Sequence, residues 1–263
     1  VHSVFVSDEM LYTGSGNTAK MWDINATPDN GISDITNNGY DGIVNTALKT
    51  FIGHEDTVYS VYVSGGMLFT GSKDGTAKTW DISSTKEVNT FKYSLDGGGE
   101  YSVIRGYNKS KQVSGVFVSK INGIDYLFTC EEFEYKTYVI MWDMSEVLHK
   151  TFSHDSVVTS MFVSNNYLFT GSKDGYVRMW DISSGSLVKS FNHSDVNSVF
   201  VSGNYLFTSS VYLVKMWDIN TIPDTGKIIV NTYNTKPKHR VESMFMSGDY
   251  LFTGSIDKTA KMW

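Results

Sequence analysis

The chain has little cysteine, few cations and no long apolar run, and each scarcity removes a class of protein. A single cysteine, Cys130, among 263 residues excludes an internal disulfide and fits a reducing, cytoplasmic setting. No apolar run approaches the roughly 18 residues that a spanning helix needs, so a membrane span is not expected. Cations are outnumbered, with 22 Lys and Arg against 28 Asp and Glu, for a net charge of −6. A non-specific nucleic-acid binder draws its affinity from clustered cations, and that class is set aside. Disorder is excluded as well, because 41% of the residues are hydrophobic and only 19% are charged.

What is present is aromatic and repetitive. Aromatic residues make up 14% of the chain, and Val, Thr, Tyr and Phe fall in short runs that favour strands. One phrase recurs six times: VHSVFVS at 1, VYSVYVS at 58, VSGVFVS at 113, VTSMFVS at 158, VNSVFVS at 196 and VESMFMS at 241. A second follows each copy: LYTGS at 11, LFTGS at 68, LFTC at 127, LFTGS at 168, LFTSS at 206 and LFTGS at 251. A third closes each unit and holds all six tryptophans, Trp22, Trp80, Trp142, Trp180, Trp217 and Trp263. Between Trp142, Trp180 and Trp217 the spacing is 37 to 38 residues, and the wider gaps are that period plus insertions. A weaker fourth strand follows most units, as in ALKTFIG, EVNTFKYS, LHKTFS, LVKSFN and KIIVNTYN. Four short strands per period of about 40 residues is the arithmetic of a propeller blade. The predicted fold is therefore an all-β propeller of four-stranded antiparallel blades, read as one domain over residues 1–263. Six repeats are visible and the last outer strand is missing, which points to a seven-bladed parent, with a six-bladed ring as the alternative.

These phrases, with the Gly53–His54 pair, resemble the WD-repeat family of β-propellers over essentially the whole chain. The wording VSGNYLFT and DKTAKMW is similar to WD domains of larger protist proteins such as myosin heavy chain kinases and F-box substrate receptors. The family resemblance implies a buried tetrad of His, Ser or Thr, Asp and Trp in each full blade. Carried onto this sequence, it selects His54, Ser72, Asp74 and Trp80, and then His154, Ser172, Asp174 and Trp180. In the last unit it selects Ser255, Asp257 and Trp263, with His239 displaced by two residues. The first, third and fifth units lack the Asp, although His193 precedes the fifth. A buried polar chain of this kind fixes a turn and a Trp orientation in a blade with little core. A hydrolase reading of the same Ser, His and Asp needs an exposed nucleophile beside an oxyanion site, and several copies of it per chain are implausible.

Insertions fall at 24–45, 94–112, 130–138 and 220–227. Propeller topology places the second and third at one corner of the face called the top, where Tyr101, Arg105, Tyr107, Phe133 and Tyr135 supply interface-forming side chains. Glu131, Glu132 and Glu134 join them, and the two loops also read as surface loops that pair charges with each other. Register places Tyr59, Thr159, Asn197 and Glu242 near the rim of that face, with Lys73 and Lys173 before the turn. These lysines favour an acidic or phosphorylated ligand, or stand as ordinary solvated lysines.

GGGE at 97–100 lacks the Gly-Lys-Ser/Thr of a phosphate loop, and His149 and His154 have no further ligand at metal spacing, so neither cofactor nor metal is expected. The expected function is non-catalytic: a protein–protein interaction scaffold that binds partner peptides or domains on its top face. The alternatives are a substrate-recognition domain of a larger kinase or ubiquitin-ligase component, or a structural subunit of a large assembly.

Overall fold

A computed structural model describes residues 1–25, 47–92, 112–133, 136–211, 213–220, 229–234, 241–247, 250–255 and 259–263. Among them every regular element is a strand. Each repeat forms one antiparallel meander, here called a blade. The first contains β1 (Ser3–Ser7), β2 (Met10–Ser15), β3 (Thr18–Asp23) and β4 (Lys49–Ile52), paired in that order. The second contains β5 (Val58–Ser64), β6 (Met67–Ser72), β7 (Ala77–Asp81) and β8 (Glu87–Phe91). Blade three contains β9 (Gln112–Ile121), β10 (Ile124–Glu132), β11 (Thr137–Asp143) and β12 (Leu148–His154). Blade four contains β13 (Val158–Ser164), β14 (Tyr167–Ser172), β15 (Tyr176–Asp181) and β16 (Leu187–Asn192). Blade five contains β17 (Ser198–Ser202), β18 (Tyr205–Ser209), β19 (Leu213–Asp218) and β20 (Ile229–Asn234). The sixth has three strands among the described residues, β21 (Val241–Ser247), β22 (Tyr250–Ser255) and β23 (Ala260–Met262). The architecture is all-β, built of β-propeller blades. The chain divides into two compact units, Val1–Val118 and Ser119–Trp263, and the division falls inside β9.

The core lies between successive blades. In the first unit Tyr12, Met21 and Phe51 of blade one pack with Val58, Val61, Leu68 and Trp80 of blade two. In the second unit Phe169, Met179 and Phe191 of blade four meet Val196, Val199, Leu206 and Trp217 of blade five. The phenylalanine of β4, β12 or β16 stands against the next blade's tryptophan, as Phe51–Trp80, Phe152–Trp180 and Phe191–Trp217 with centroids 6.1, 5.6 and 5.5 Å apart. Blades approach so closely that the residue after the LFT threonine must be small. A Cβ added at Gly14, Gly71 or Gly171 meets Val58, Val113 or Val196 at 2.9, 2.8 or 2.6 Å. Cys130 holds the matching place in blade three, buried, with its Sγ 3.7 Å from the Val158 carbonyl.

Two features depart from the sequence expectation. The segment 130–138 is not a loop throughout: β10 continues to Glu132 and β11 starts at Thr137, with Glu131 opposite Tyr138. Glu131 points inward and is fully buried, so it is no surface charge. The second departure is a bulge between the first and third residues of strand one, at Val58/Ser60, Val158/Ser160 and Val241/Ser243. A bulge inserts one residue and re-aims its side chain, which displaces Tyr59 and Thr159 from the simple alternation. The expected insertions at 24–45, 94–112 and 220–227 lie almost wholly outside the described residues.

Candidate functional site

The tryptophan of each repeat and the register of its strand decide which polar groups can meet. Trp80 lies opposite Leu68, so Thr70, two residues on, is its diagonal neighbour on the same face. The Thr70 hydroxyl accepts the Trp80 indole N–H at 2.9 Å. The contact recurs in every blade: Trp22 to Thr13 at 2.9 Å, Trp142 to Thr129 at 2.9 Å, Trp180 to Thr170 at 3.0 Å, Trp217 to Thr208 at 2.8 Å and Trp263 to Thr253 at 3.1 Å. All six threonines are buried.

This corrects the expected tetrads, because the hydroxyl in the chain is threonine and not Ser72, Ser172 or Ser255. Ser72 donates to the Asp56 carbonyl at 3.0 Å and accepts the Asp74 N–H at 3.1 Å, so it builds the turn. Ser172 accepts the Asp174 N–H at 3.3 Å, and the Ser255 N–H donates to the Thr259 carbonyl at 3.1 Å. Asp257 and His239 lie outside the described residues. The signal was in the sequence: the threonine of LYT or LFT occurs in all six repeats, whereas the serine at the tetrad place is absent from the third.

Blade two completes the chain. His54 is buried and lies 2.7 Å from the Thr70 hydroxyl through Nε2 and 2.7 Å from Asp74 through Nδ1. With the proton on Nδ1, every donor finds an acceptor from Trp80 through Thr70 and His54 to Asp74. Asp74 also accepts the Glu55 N–H at 3.0 Å and the Thr76 hydroxyl at 2.6 Å, tying the entering loop to the turn. Burial opposes its charge, but the bonds from His54 and Thr76 outweigh this and hold the carboxyl well below the usual carboxylate range.

Blade four, nearly the same sequence, ends differently. His154 lies 2.8 Å from the Thr170 hydroxyl, and its Nδ1–H donates to the Phe152 carbonyl at 3.1 Å. Asp174 turns instead to Arg178, an ion pair at 2.7 Å whose closest atoms meet without hydrogen-bond geometry. Blade four has Tyr176 in place of Thr76, whose hydroxyl helped to hold Asp74, and a second difference lies one strand away. In blade two Lys78 is drawn to Glu87 at 2.8 Å, whereas blade four has Leu187 there and leaves Arg178 for Asp174. Burial, reinforced by the Arg178 charge, pushes the His154 pKa down to about 4.

Blade five has no turn carboxylate. His193 meets the Thr208 hydroxyl at 2.6 Å through Nδ1, and its buried Nε2 has no hydrogen-bond partner among the described residues. Burial, with Lys215 adding, lowers its pKa to about 4. In blade three the Thr129 hydroxyl donates to Glu131 at 3.0 Å, so a buried carboxylate takes over from histidine. A Ser–His–Asp hydrolase arrangement does not form in blade two or four: the hydroxyl facing His54 or His154 is a buried threonine locked to an indole, and each serine serves a turn.

The residues expected to meet a partner divide into four groups. Lys73 and Lys173 are exposed at the turn between strands two and three, each fixed by its N–H on the loop before strand one, at Thr57 and Val157. Tyr59 is half-buried against His2, with ring centroids 5.3 Å apart, and Phe133 packs edge-on against Tyr138 at 5.5 Å. Thr159 and Asn197 do not stand open to a ligand. The Thr159 hydroxyl reaches the Val196 carbonyl at 2.7 Å, and the Asn197 amide donates to the Val241 carbonyl at 3.0 Å, so both join adjacent blades. Tyr101, Arg105, Tyr107, Tyr135 and the Glu242 side chain lie outside the described residues.

Comparison with known proteins agrees with this geometry. The family model described as "WD domain, G-beta repeat" matches residues 45–81, 145–181 and 231–263. A CCR4-associated factor 4 homolog of Candida glabrata is 35% identical over 88 residues, 33% of this chain and 14% of that protein. Mitochondrial division protein 1 of the same yeast is 28% identical over 160 residues, 58% of this chain and 21% of that protein. The chain thus matches about a fifth or less of the length of either relative.

Proposed function

The chain belongs to the WD-repeat β-propeller family, and from that premise we propose that it is a non-catalytic scaffold holding partner proteins at the loop ends of its blades. The reading treats residues 1–263 as one propeller domain working in the cytoplasm. Its support is the division of labour among the polar residues. In blades two and four the histidine is consumed in holding the tryptophan, while the turn lysines remain outside. Lys73 is partly neutralised by Asp56 at 3.8 Å. At the matching place in blade four stands Ser156, and Lys173 has no ion pair among the described residues. Lys173 carries the proposal: an exposed cation on a rigid turn favours an acidic or phosphorylated peptide.

The test is affinity capture from a lysate with quantitative mass spectrometry, comparing the chain with a Lys73→Glu, Lys173→Glu variant shown by circular dichroism to be folded. Partners that bind the parent and are lost from the variant support the reading. Partners retained in full contradict it. A second reading draws on the length of the relatives, of which the matched stretch is a small part: the blades serve as the recognition domain of a larger protein, such as a kinase or ubiquitin-ligase component.

A further inference from the structure

Blades two, four and five each set a histidine against the LFT threonine, and strand three places a cation opposite that threonine: Lys78, Arg178 or Lys215. The blades differ in the carboxylates that answer these groups. In blade two Asp74 meets the His54 ring at 2.7 Å and Glu87 meets Lys78 at 2.8 Å. In blade four Asp174 meets Arg178 at 2.7 Å, and His154 turns to the Phe152 carbonyl. Blade five has no carboxylate at either place. Its turn is closed by the Ser210 N–H on the Leu213 carbonyl at 2.9 Å, as Ser72 closes on Thr76 in blade two, but with one residue fewer and no acid between them. Opposite Trp217 stands Ile229, where Glu87 stands opposite Trp80. Asp195, in the loop entering blade five, is exposed and makes no ion pair among the described residues.

Two donors are left over. Thr208 accepts the Trp217 indole N–H at 2.8 Å, so its own hydroxyl proton goes to His193 Nδ1 at 2.6 Å. Burial, with Lys215 adding, keeps the ring neutral, and the ring proton then sits on Nε2. His193 is 1% exposed, and its Nε2 meets no acceptor among the described residues. A buried donor in that position is costly to leave unmatched. The second donor is Lys215, which reaches only uncharged groups: its Nζ donates to the Asn192 carbonyl at 3.3 Å and lies 5.2 Å over the Trp217 ring. Lys215 is half-buried, which gives an anion arriving from solvent a first contact beside the ring. The turn of blade four adjoins the same place, because the His193 N–H donates to the Gly175 carbonyl at 3.0 Å, two residues from the exposed Lys173.

We propose that blade five holds a carboxylate-binding site, in which an Asp or Glu side chain of a partner's acidic segment accepts the His193 Nε2–H and pairs with Lys215. The partner's carboxylate supplies to blade five what Asp74 supplies to blade two from within the chain. A carboxylate fits better than a phosphate, whose larger charge and three terminal oxygens call for more donors than one ring N–H and one ammonium. The site rests on the scaffold reading above and names the ligand class that one blade of it takes.

The probe is sodium acetate, titrated against the whole chain at neutral pH with sodium chloride at equal ionic strength as the control. The readout is the His193 ring signal in proton–carbon NMR, assigned through the backbone. Acetate is expected to move that signal saturably, and chloride is not. Lys215→Gln is expected to weaken the acetate response by about tenfold or more, because a charge-assisted contact is lost. If that variant loses its sheet signal by circular dichroism, Lys215→Met keeps the apolar stem and tests the same charge. No saturable shift, an equal response to chloride, or a response unchanged without the Lys215 charge overturns the proposal. The lysate capture fails separately: partners lost from the Lys73→Glu, Lys173→Glu variant without an acetate response strike this site alone. An acetate response with every partner retained by that variant upholds the site and strikes the turn lysines.

Discussion

At the residue scale, one polar network ends in two ways in blades two and four. Thr70 and Thr170 hold their tryptophans alike, yet Asp74 serves His54 while Asp174 serves Arg178. One difference is Glu87 against Leu187, which bears on whether the cation on strand three is drawn outward; another is Thr76 against Tyr176, which takes a hydroxyl away from the turn carboxylate. Leu187→Glu is therefore expected to pull Arg178 from Asp174. The His154 pKa then rises from about 4, because one of the charges that depress it moves away, as histidine ring proton shifts against pH will show. An unchanged titration rules out the competition. The buried pair His154 and His193 also sets a pH dependence. Both have folded-state pKa values near 4, below the ordinary 6.5 of an unfolded histidine, so the unfolded chain takes up the proton first. Their contribution is fully present above about pH 6.5 and is lost as pH falls towards 4. Chemical denaturation midpoints are expected to decline through that window, and less steeply in His193→Gln.

At the element scale, the blades are specified by where strands come close. Gly171 lies so near Val196 that a methyl group has nowhere to go. Gly171→Ala is expected to cost about 1–3 kcal/mol in urea unfolding, the usual penalty for overpacking. Val196→Ala in the same chain is expected to recover part of it, because it removes the obstructing methyl groups; a purely additive loss argues against the contact. This scale also shows what the sequence made legible. Strand positions, the six repeats and most of the fourth strands were readable because apolar runs and turn residues repeat in phase. The serine and threonine of LFTGS were confused because spacing alone does not say which hydroxyl lies diagonal to the indole. Thr159 was misplaced because a bulge at that residue breaks the two-residue alternation, and no residue type announces it. Glu131 was taken for a loop charge because a carboxylate in a strand reads as an outward residue unless a buried partner such as Thr129 is known.

At the scale of the whole molecule, the recurring polar residues of the blades are architecture. The six Trp–Thr bonds are the most uniform polar feature among the described residues, present where histidine, aspartate or both are missing. Each places a buried indole N–H on a buried hydroxyl, and leaving such groups unmatched costs about 1–3 kcal/mol apiece. The most direct test is urea unfolding of Thr170→Val beside Ser172→Ala. Valine keeps the shape but strips both Trp180 and His154 of their partner, so a loss of about 2–4 kcal/mol is expected. Ser172→Ala removes one long bond to the turn and is expected to cost no more than about 1 kcal/mol. Equal losses, or a larger loss for Ser172→Ala, would contradict the account and return the serine to the centre of the blade.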